Sequence, residues 1–246
     1  MITIKTPSEI ALMRESGKLT RDVLELAGRS IRPGMTTKEL DKIAHDFIRD
    51  NGAYPSFLGY GGYPASTCIS INDMVVHGIP SDDIIIREGD IVSVDVGTIL
   101  NGWQGDAART FAVGEISEEK KKLVKVTEEC FFKAVENLKS GTPLGDIGYN
   151  VQTHAEANGF SVVRALVGHG IGREMHEDPS VPNYGKKGIR LKAGMVIAIE
   201  PMINAGVYQV DFMSDGWGVK TRDRRPSAHY ENTVAILEDG VEILTL

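Results

Sequence analysis

Five residues stand out for what their side chains could do together: Asp95, Asp106, His169, Glu200 and Glu231. Four carboxylates and one imidazole form a donor set suited to a pair of divalent cations, and the carboxylate charges formally match two 2+ ions. Oxygen-rich ligands favour the harder ions Mn²⁺ and Fe²⁺, while Co²⁺ and Zn²⁺ also accept such sites. A water bridging two such ions loses a proton easily and can attack a carbonyl carbon.

The elements that carry these residues begin with a hairpin. Ile91-Val92-Ser93-Val94 and Ala107-Ala108-Arg109-Thr110-Phe111-Ala112-Val113 are short, β-branched and apolar, so they are expected as strands. Asn101-Gly102 between them is the sequence of a type I′ turn, which needs positive φ at both central residues. That turn places Asp95 opposite Ala108. Alternation then puts Asp106 on the same face, a diagonal neighbour roughly 7–8 Å away at Cβ or slightly less. Two carboxylates closing on an apolar sheet repel each other and are costly to desolvate, which a bound cation would relieve. Taken alone, the pair fits a solvated turn with two surface acids equally well.

Along the chain, Thr6-Pro7-Ser8-Glu9 opens a helix to about Gly28, and Thr36-Thr37-Lys38-Glu39 opens a second that ends at Asn51-Gly52. Phe57 to Pro64 is an aromatic, glycine-rich loop without the ending of a phosphate loop. His77 lies where an apolar strand meets a turn. Ser117 caps a third helix through about Leu138, and a fourth runs from about Leu144 to Ala157. Ser161 to Val167 is expected as a strand delivering Gly168-His169-Gly170-Ile171-Gly172, whose glycines allow close backbone approach around His169. His176 follows before an acidic loop. Further strands are expected over Gly194 to Glu200 and from near Ala228 through Leu237.

The order helix, helix, strand, acid, strand, acid occurs twice. Gly34, Leu40, Asn51 and Gly52 match Gly141, Ile147, Asn158 and Gly159 at an offset of 107, and Asp95 maps onto Glu200 at an offset of 105. The expectation is a single α/β (α+β) domain over residues 1–246, with pseudo-two-fold halves of roughly 1–115 and 116–246. Chance similarity of two helix-plus-strand units is the alternative.

Composition narrows the class. The net charge is −7 over 246 residues, and the lysine run Lys120-Lys121-Lys122 is balanced by Glu118 and Glu119, which argues against a nucleic-acid face. No apolar run approaches the roughly 20 residues of a membrane span, and no secretory signal opens the chain. Cys68 and Cys130 are the only 2 cysteines, so a disulfide framework or zinc-thiolate site is not expected. A soluble cytoplasmic protein, monomeric by default, is the expectation.

The set Asp95, Asp106, Gly168-His169-Gly170-Ile171-Gly172, Ile199-Glu200-Pro201 and Ser227-Ala228-x-x-Glu231 resembles the type I methionine aminopeptidases, over nearly the whole chain. The resemblance implies a pita-bread fold, two α/β halves around a curved antiparallel sheet with helices outside. It implies removal of the initiator methionine from nascent polypeptide N-termini, with transient ribosome association. It implies that Asp106 and Glu231 bridge two metals, that Asp95 holds one and that His169 and Glu200 hold the other. Glu200 would also shuttle a proton, His176 would stabilise the oxyanion, and His77 would sit near the scissile nitrogen. Tyr60, Tyr63, Cys68 and Trp217 would line the methionine pocket. A monovalent cation near Asn72 and Ser227 is a further implication.

Four positions depart from the family pattern. Phe57 stands where a smaller residue is common, Met175 where Phe is usual, and His229 and Asn232 flank Glu231 where Gln and His are commoner. Pocket shape and metal affinity are the properties these departures touch. Proline-directed peptidases of the same fold carry an added N-terminal domain, for which this length leaves no room. A non-enzymatic binding protein on this fold would be expected to lack ligands, and all five are present. Only 30 residues separate Glu200 from Glu231, too few for the insertion of a type II enzyme.

Overall fold

The computed structural model describes residues 1–185 and 187–246. Its organising element is the hairpin of Ile91–Leu100 and Trp103–Ala112, closed by Asn101 at φ 54° and Gly102 at φ 76°. Asp95 pairs with Ala108 and Gly97 with Asp106, the register that the two-residue turn dictates. The hairpin is the centre of a nine-stranded antiparallel sheet. Across it, Ile91–Leu100, Trp103–Ala112, Glu231–Ile236 and Val196–Ile199 lie side by side.

Four helices flank this sheet: α1 Pro7–Ser30, α2 Thr37–Asp50, α3 Glu118–Val135 and α4 Gly145–Ala157. Thr6 and Thr36 each accept from the backbone of a glutamate three residues on, and Glu9 and Glu39 accept in return. These capping boxes satisfy N–H groups that the first turn leaves orphaned. Leu19, Val23 and Leu24 of α1 and Leu40, Ala44 and Ile48 of α2 pack on Val92, Val94, Val96 and Ala107. Under α3 and α4, Leu123, Phe131, Ile147 and Val151 pack on Ile197, Ile199, Val234 and Ile236.

That packing decides where the acids go. Side chains alternate across a strand. With Val94, Val96, Ala107, Ile197, Ile199 and Val234 turned to the helices, Asp95, Asp106, Glu200 and Glu231 must project from the other face.

Four expected elements are shorter or divided. α3 ends at Val135 rather than near Leu138, because Glu136 at ψ 120° leaves the helical region and Asn137 takes φ 63°. The strand expected over 161–167 is only Ser161–Val162, paired with Met202–Asn204 in a separate three-stranded sheet. The chain leaves that sheet to bring Gly168–Gly170 into the large one, and a single straight strand cannot serve both. The last strand is split at Tyr230 for the same reason: Ser227–His229 pairs with Met202–Asn204, while Glu231–Ile236 joins the large sheet. Glu200 and Pro201 likewise fill the gap between Val196–Ile199 and Met202–Asn204. Glu200 and Glu231 therefore stand where the chain changes sheets.

Candidate metal centre

One cavity opens on the face away from the helices. Its floor holds Asp95, Asp106, His169, Glu200 and Glu231, and its walls are Phe57, Tyr60, Tyr63, Cys68, His77, Met175, His176 and Trp217. The thirteen residues nominated for the metals, the reaction and the methionine pocket thus border a single space.

His169 sits in the short Gly168–Gly170 strand. A Cβ on Gly168 would lie 2.3 Å from the Ala198 carbonyl oxygen, and one on Gly170 2.1 Å from that of Asp178. Only glycine lets the backbone of both neighbouring segments come this close. The ring of His169 is fixed from behind: Nδ1 is 2.9 Å from the Gly170 carbonyl oxygen and donates to it. Nε2 is then the lone-pair nitrogen, and it points at the acids, 3.7 Å from Asp106 Oδ2 and 3.8 Å from Glu200 Oε1.

A lone pair facing carboxylates is repulsive unless something positive lies between. Burial holds His169 down to about 4, so the ring itself does not supply that charge near neutral pH. Burial also pushes Asp95, Glu200 and Glu231 well above the ordinary carboxylate range, the neighbouring acids adding to it, and pushes Asp106 up to about 7. Asp95 Oδ1, Asp106 Oδ1 and Glu231 Oε1 are sealed from solvent with no hydrogen-bond donor among the described residues. Deeply buried polar atoms are rarely left unpartnered, and their cost here is that of several unneutralised acids. Ligand atoms of Asp106, His169 and Glu231 fall within 4.8 Å of one another, as do those of Asp95, His229 and Glu231. Oxygen and imidazole donors at this spacing fit divalent cations.

Around the floor, His176 Nδ1 is 2.8 Å from Tyr60 Oη, and its ring centroid is 4.2 Å from that of His169. His77 takes φ 60°, a strained conformation outside glycine that aims its ring into the cavity wall. Burial lowers both His77 and His176, which favours neutral rings. The Tyr63 hydroxyl donates to the carbonyls of Thr67 and Gly78, each at 3.1 Å, and its ring meets Trp217 edge-on at 5.0 Å. Phe57, Tyr63, Cys68 and Met175 pack as one apolar cluster with Trp217 against it. Gly97 makes room for this wall, since a Cβ there would stand 2.7 Å from Ser56 and 2.8 Å from Phe57.

One residue beside the acids was noted in the sequence only as a departure from a pattern. His229 lies with Nε2 3.9 Å from Glu200 Oε2 and 3.8 Å from Glu231 Oε2. The signal was its place two residues before Glu231, on the same side of an extended chain.

The profile of metallopeptidase family M24 matches residues 11–238. A methionine aminopeptidase of Clostridium acetobutylicum is 57% identical over the whole of this chain and 99% of its own. Crystal structures of the methionine aminopeptidases of Rickettsia prowazekii and Thermotoga maritima superpose with TM-scores of 0.98 and 0.97, at 44% and 46% identity, each covering 100% of this chain and at least 99% of the other. The fold is therefore the pita-bread fold. The chain belongs to metallopeptidase family M24 and, within it, to the methionine aminopeptidases, which are metal-dependent exopeptidases.

Proposed function

We propose that this protein removes the N-terminal initiator methionine from nascent polypeptides whose second residue is small, using two divalent ions. The observation that carries the reading is the floor of the cavity: a lone-pair nitrogen of His169 and unpartnered oxygens of Asp95, Asp106 and Glu231 converge beneath an apolar, sulfur- and aromatic-lined wall. Bound divalent ions, of Mn, Fe, Co or Zn, would supply an activated water and a Lewis acid for the scissile carbonyl.

Asp95, Asp106, His169, Glu200 and Glu231 would hold the two ions, Asp106 and Glu231 serving both, Asp95 one, and His169 and Glu200 the other. Glu200 also receives and returns a proton. His176 offers a hydrogen bond to the developing oxyanion from Nε2, since its Nδ1 is taken up with Tyr60. His77 faces the scissile nitrogen. Tyr60, Tyr63, Cys68, Trp217, Phe57 and Met175 hold the methionine side chain, whose thioether suits aromatic and sulfur neighbours. Residues 1–246 act as one catalytic unit with two related halves.

A monovalent cation near Asn72 and Ser227 belongs to the same reading. The two residues are neighbours, Ser227 N donating to Asn72 O at 2.9 Å, and the Lys120 ammonium already rests 2.8 Å from Asn72 Oδ1. Among the described residues no helix is long and apolar enough to cross a membrane. We place the enzyme in the cytoplasm as a monomer that meets its substrates at the ribosome.

The test is methionine release from Met-Ala-Ser by EDTA-stripped protein, with Mn²⁺, Co²⁺, Fe²⁺ or Zn²⁺ restored one at a time and Ala-Pro-Ala run in parallel. Release from Met-Ala-Ser that depends on metal is expected. Cleavage of the proline peptide alone would move the enzyme to the proline-directed branch of the family. Silence on both peptides despite bound metal would leave a binding protein.

A further inference from the structure

The five-ligand set leaves one imidazole beside the acids without a role. His229 is 2% exposed, and neither Nδ1 nor Nε2 has a hydrogen-bond partner among the described residues. A neutral imidazole always carries one N–H donor and one lone pair, so two idle nitrogens in a sealed site are costly. Its backbone cannot swing away to relieve this. His229 N donates to Thr110 Oγ1 at 2.9 Å, and the Thr110 hydroxyl donates back to His229 O at 2.9 Å. The residue also pairs with Met202 in the small sheet.

The ring is aimed at the acids. Nε2 is 3.8 Å from Glu231 Oε2 and 3.9 Å from Glu200 Oε2, and ligand atoms of Asp95, His229 and Glu231 lie within 4.8 Å of one another. Two donors bound to one ion at about 2.0–2.2 Å stand at most about 4.4 Å apart. The 3.8 Å from Nε2 to Glu231 Oε2 falls inside that limit but is too long for a hydrogen bond, as is the 3.9 Å to Glu200 Oε2. They leave space for an ion, not for a direct contact. Asp95 and Glu231, the two acids grouped with His229, each also keep a buried oxygen without a donor among the described residues, Oδ1 and Oε1.

We propose that His229 is a protein ligand of the ion held by Asp95 and Glu231, so that each of the two metals carries one imidazole. The inference rests on the two-metal reading above and adds a donor to it. His169 and His229 then serve opposite sides of the acid cluster, one beside Asp106 and the other beside Asp95. A nitrogen donor replaces water or oxygen at an ion otherwise ringed by carboxylates. Imidazole suits Zn²⁺, Co²⁺ and Fe²⁺ better than Mn²⁺ or Mg²⁺, so His229 biases this half of the centre toward the former group.

The experiment follows the ring nitrogens of the ¹⁵N-histidine-labelled, EDTA-stripped whole protein while Zn²⁺ is added to two equivalents. Ring-to-backbone correlations in the wild-type protein assign His229 and His169 without any variant. Nitrogen resonances of both residues are expected to move to metal-bound positions. His229→Gln is expected to bind the second Zn²⁺ at least about tenfold more weakly, and to narrow the preference for Zn²⁺ over Mn²⁺. If His169 moves while the His229 nitrogens stay put, the metal centre stands and His229 is no ligand. An unchanged second affinity in a folded His229→Gln protein has the same meaning. If neither histidine moves, the two-metal reading itself fails and takes this proposal with it.

Discussion

The His176 ring is tethered at one nitrogen and free at the other: Nδ1 meets Tyr60 Oη at 2.8 Å, and the two rings lie 5.3 Å apart at an angle of 39°. A side chain from the loop before the Thr67–Ile71 strand thus orients one from the far side of the cavity. His176→Ala is expected to lower kcat by about 10²–10³-fold, the loss typical of an oxyanion donor. Tyr60→Phe removes only the tether, a hydrogen bond worth about 0.5–1.5 kcal/mol, so its fall in kcat should be about two- to tenfold. Steady-state kinetics on Met-Ala-Ser would read both. An unchanged kcat in His176→Ala would remove that residue from the reaction.

Glu200 occupies the gap between two strands in different sheets, with its carbonyl held by Asn183 Nδ2 at 2.9 Å. Its backbone therefore does not depend on its carboxylate. Glu200→Gln is expected to lose about 10³-fold or more of turnover, through the lost proton carrier and the weakened ion, while its circular dichroism remains that of the parent. His169→Ala should behave alike. Near-normal turnover in either variant would contradict the assignment.

The parts of this site that could be read in the sequence were those fixed by neighbours in the chain. Asn101-Gly102 sets the hairpin register, and that register alone places Asp95 and Asp106 on one face. Thr6 with Glu9, and Thr36 with Glu39, mark helix starts because both partners of each capping box lie within one turn. The points where the chain changes sheets were not legible. Tyr230 looks like the interior of a strand, and only the competing partners Met202–Asn204 and Trp103–Ala112 split it. Residues 163–167 carry strand-forming types but bridge two sheets. For the same reason His229 was visible only as a flank of Glu231, since its distance to Glu200 depends on both sheet changes.

Removing metal should reverse the usual pH response near neutrality. Burial, with neighbouring acids second, pushes Asp95, Glu200 and Glu231 far up, and burial pushes Asp106 up to about 7. A carboxyl with a raised folded pKa holds its proton more tightly in the native state. Its stabilisation is complete below the unfolded value and is lost as pH rises through the folded one. The buried histidines act oppositely, but only below their unfolded value of about 6.5. The diagnostic window is therefore pH 6.5 to 8. There the EDTA-stripped protein is expected to show a falling Tm as pH rises, and two equivalents of Zn²⁺ should remove the fall by ligating the ionised forms. A metal-free Tm that climbs across this window would contradict the prediction.

The N-terminal segment is fastened to the loop that carries His176 by a buried ion pair. Lys5 Nζ lies 2.6 Å from Glu177 Oε2, with the two side chains 4% and 12% exposed. Burial pushes the Glu177 carboxyl up, but hydrogen bonds from Lys5 and Thr3 outweigh it and hold the group below the ordinary range. The other oxygen accepts from Arg173 N at 3.1 Å, so Glu177 pins the chain on both sides of His176. Lys5→Met keeps the apolar stem and strands a buried carboxylate. Breaking a buried pair at one partner costs about 3–5 kcal/mol, and a loss toward the lower end is expected here because backbone donors remain. Adding Glu177→Gln should recover much of it, which urea unfolding of the two single variants and the double variant would measure. Lys5→Met should also lower kcat more than it raises KM, since what it loosens is the placement of His176 rather than the methionine pocket. A single variant as stable as the parent would show that the backbone donors alone suffice to hold the loop.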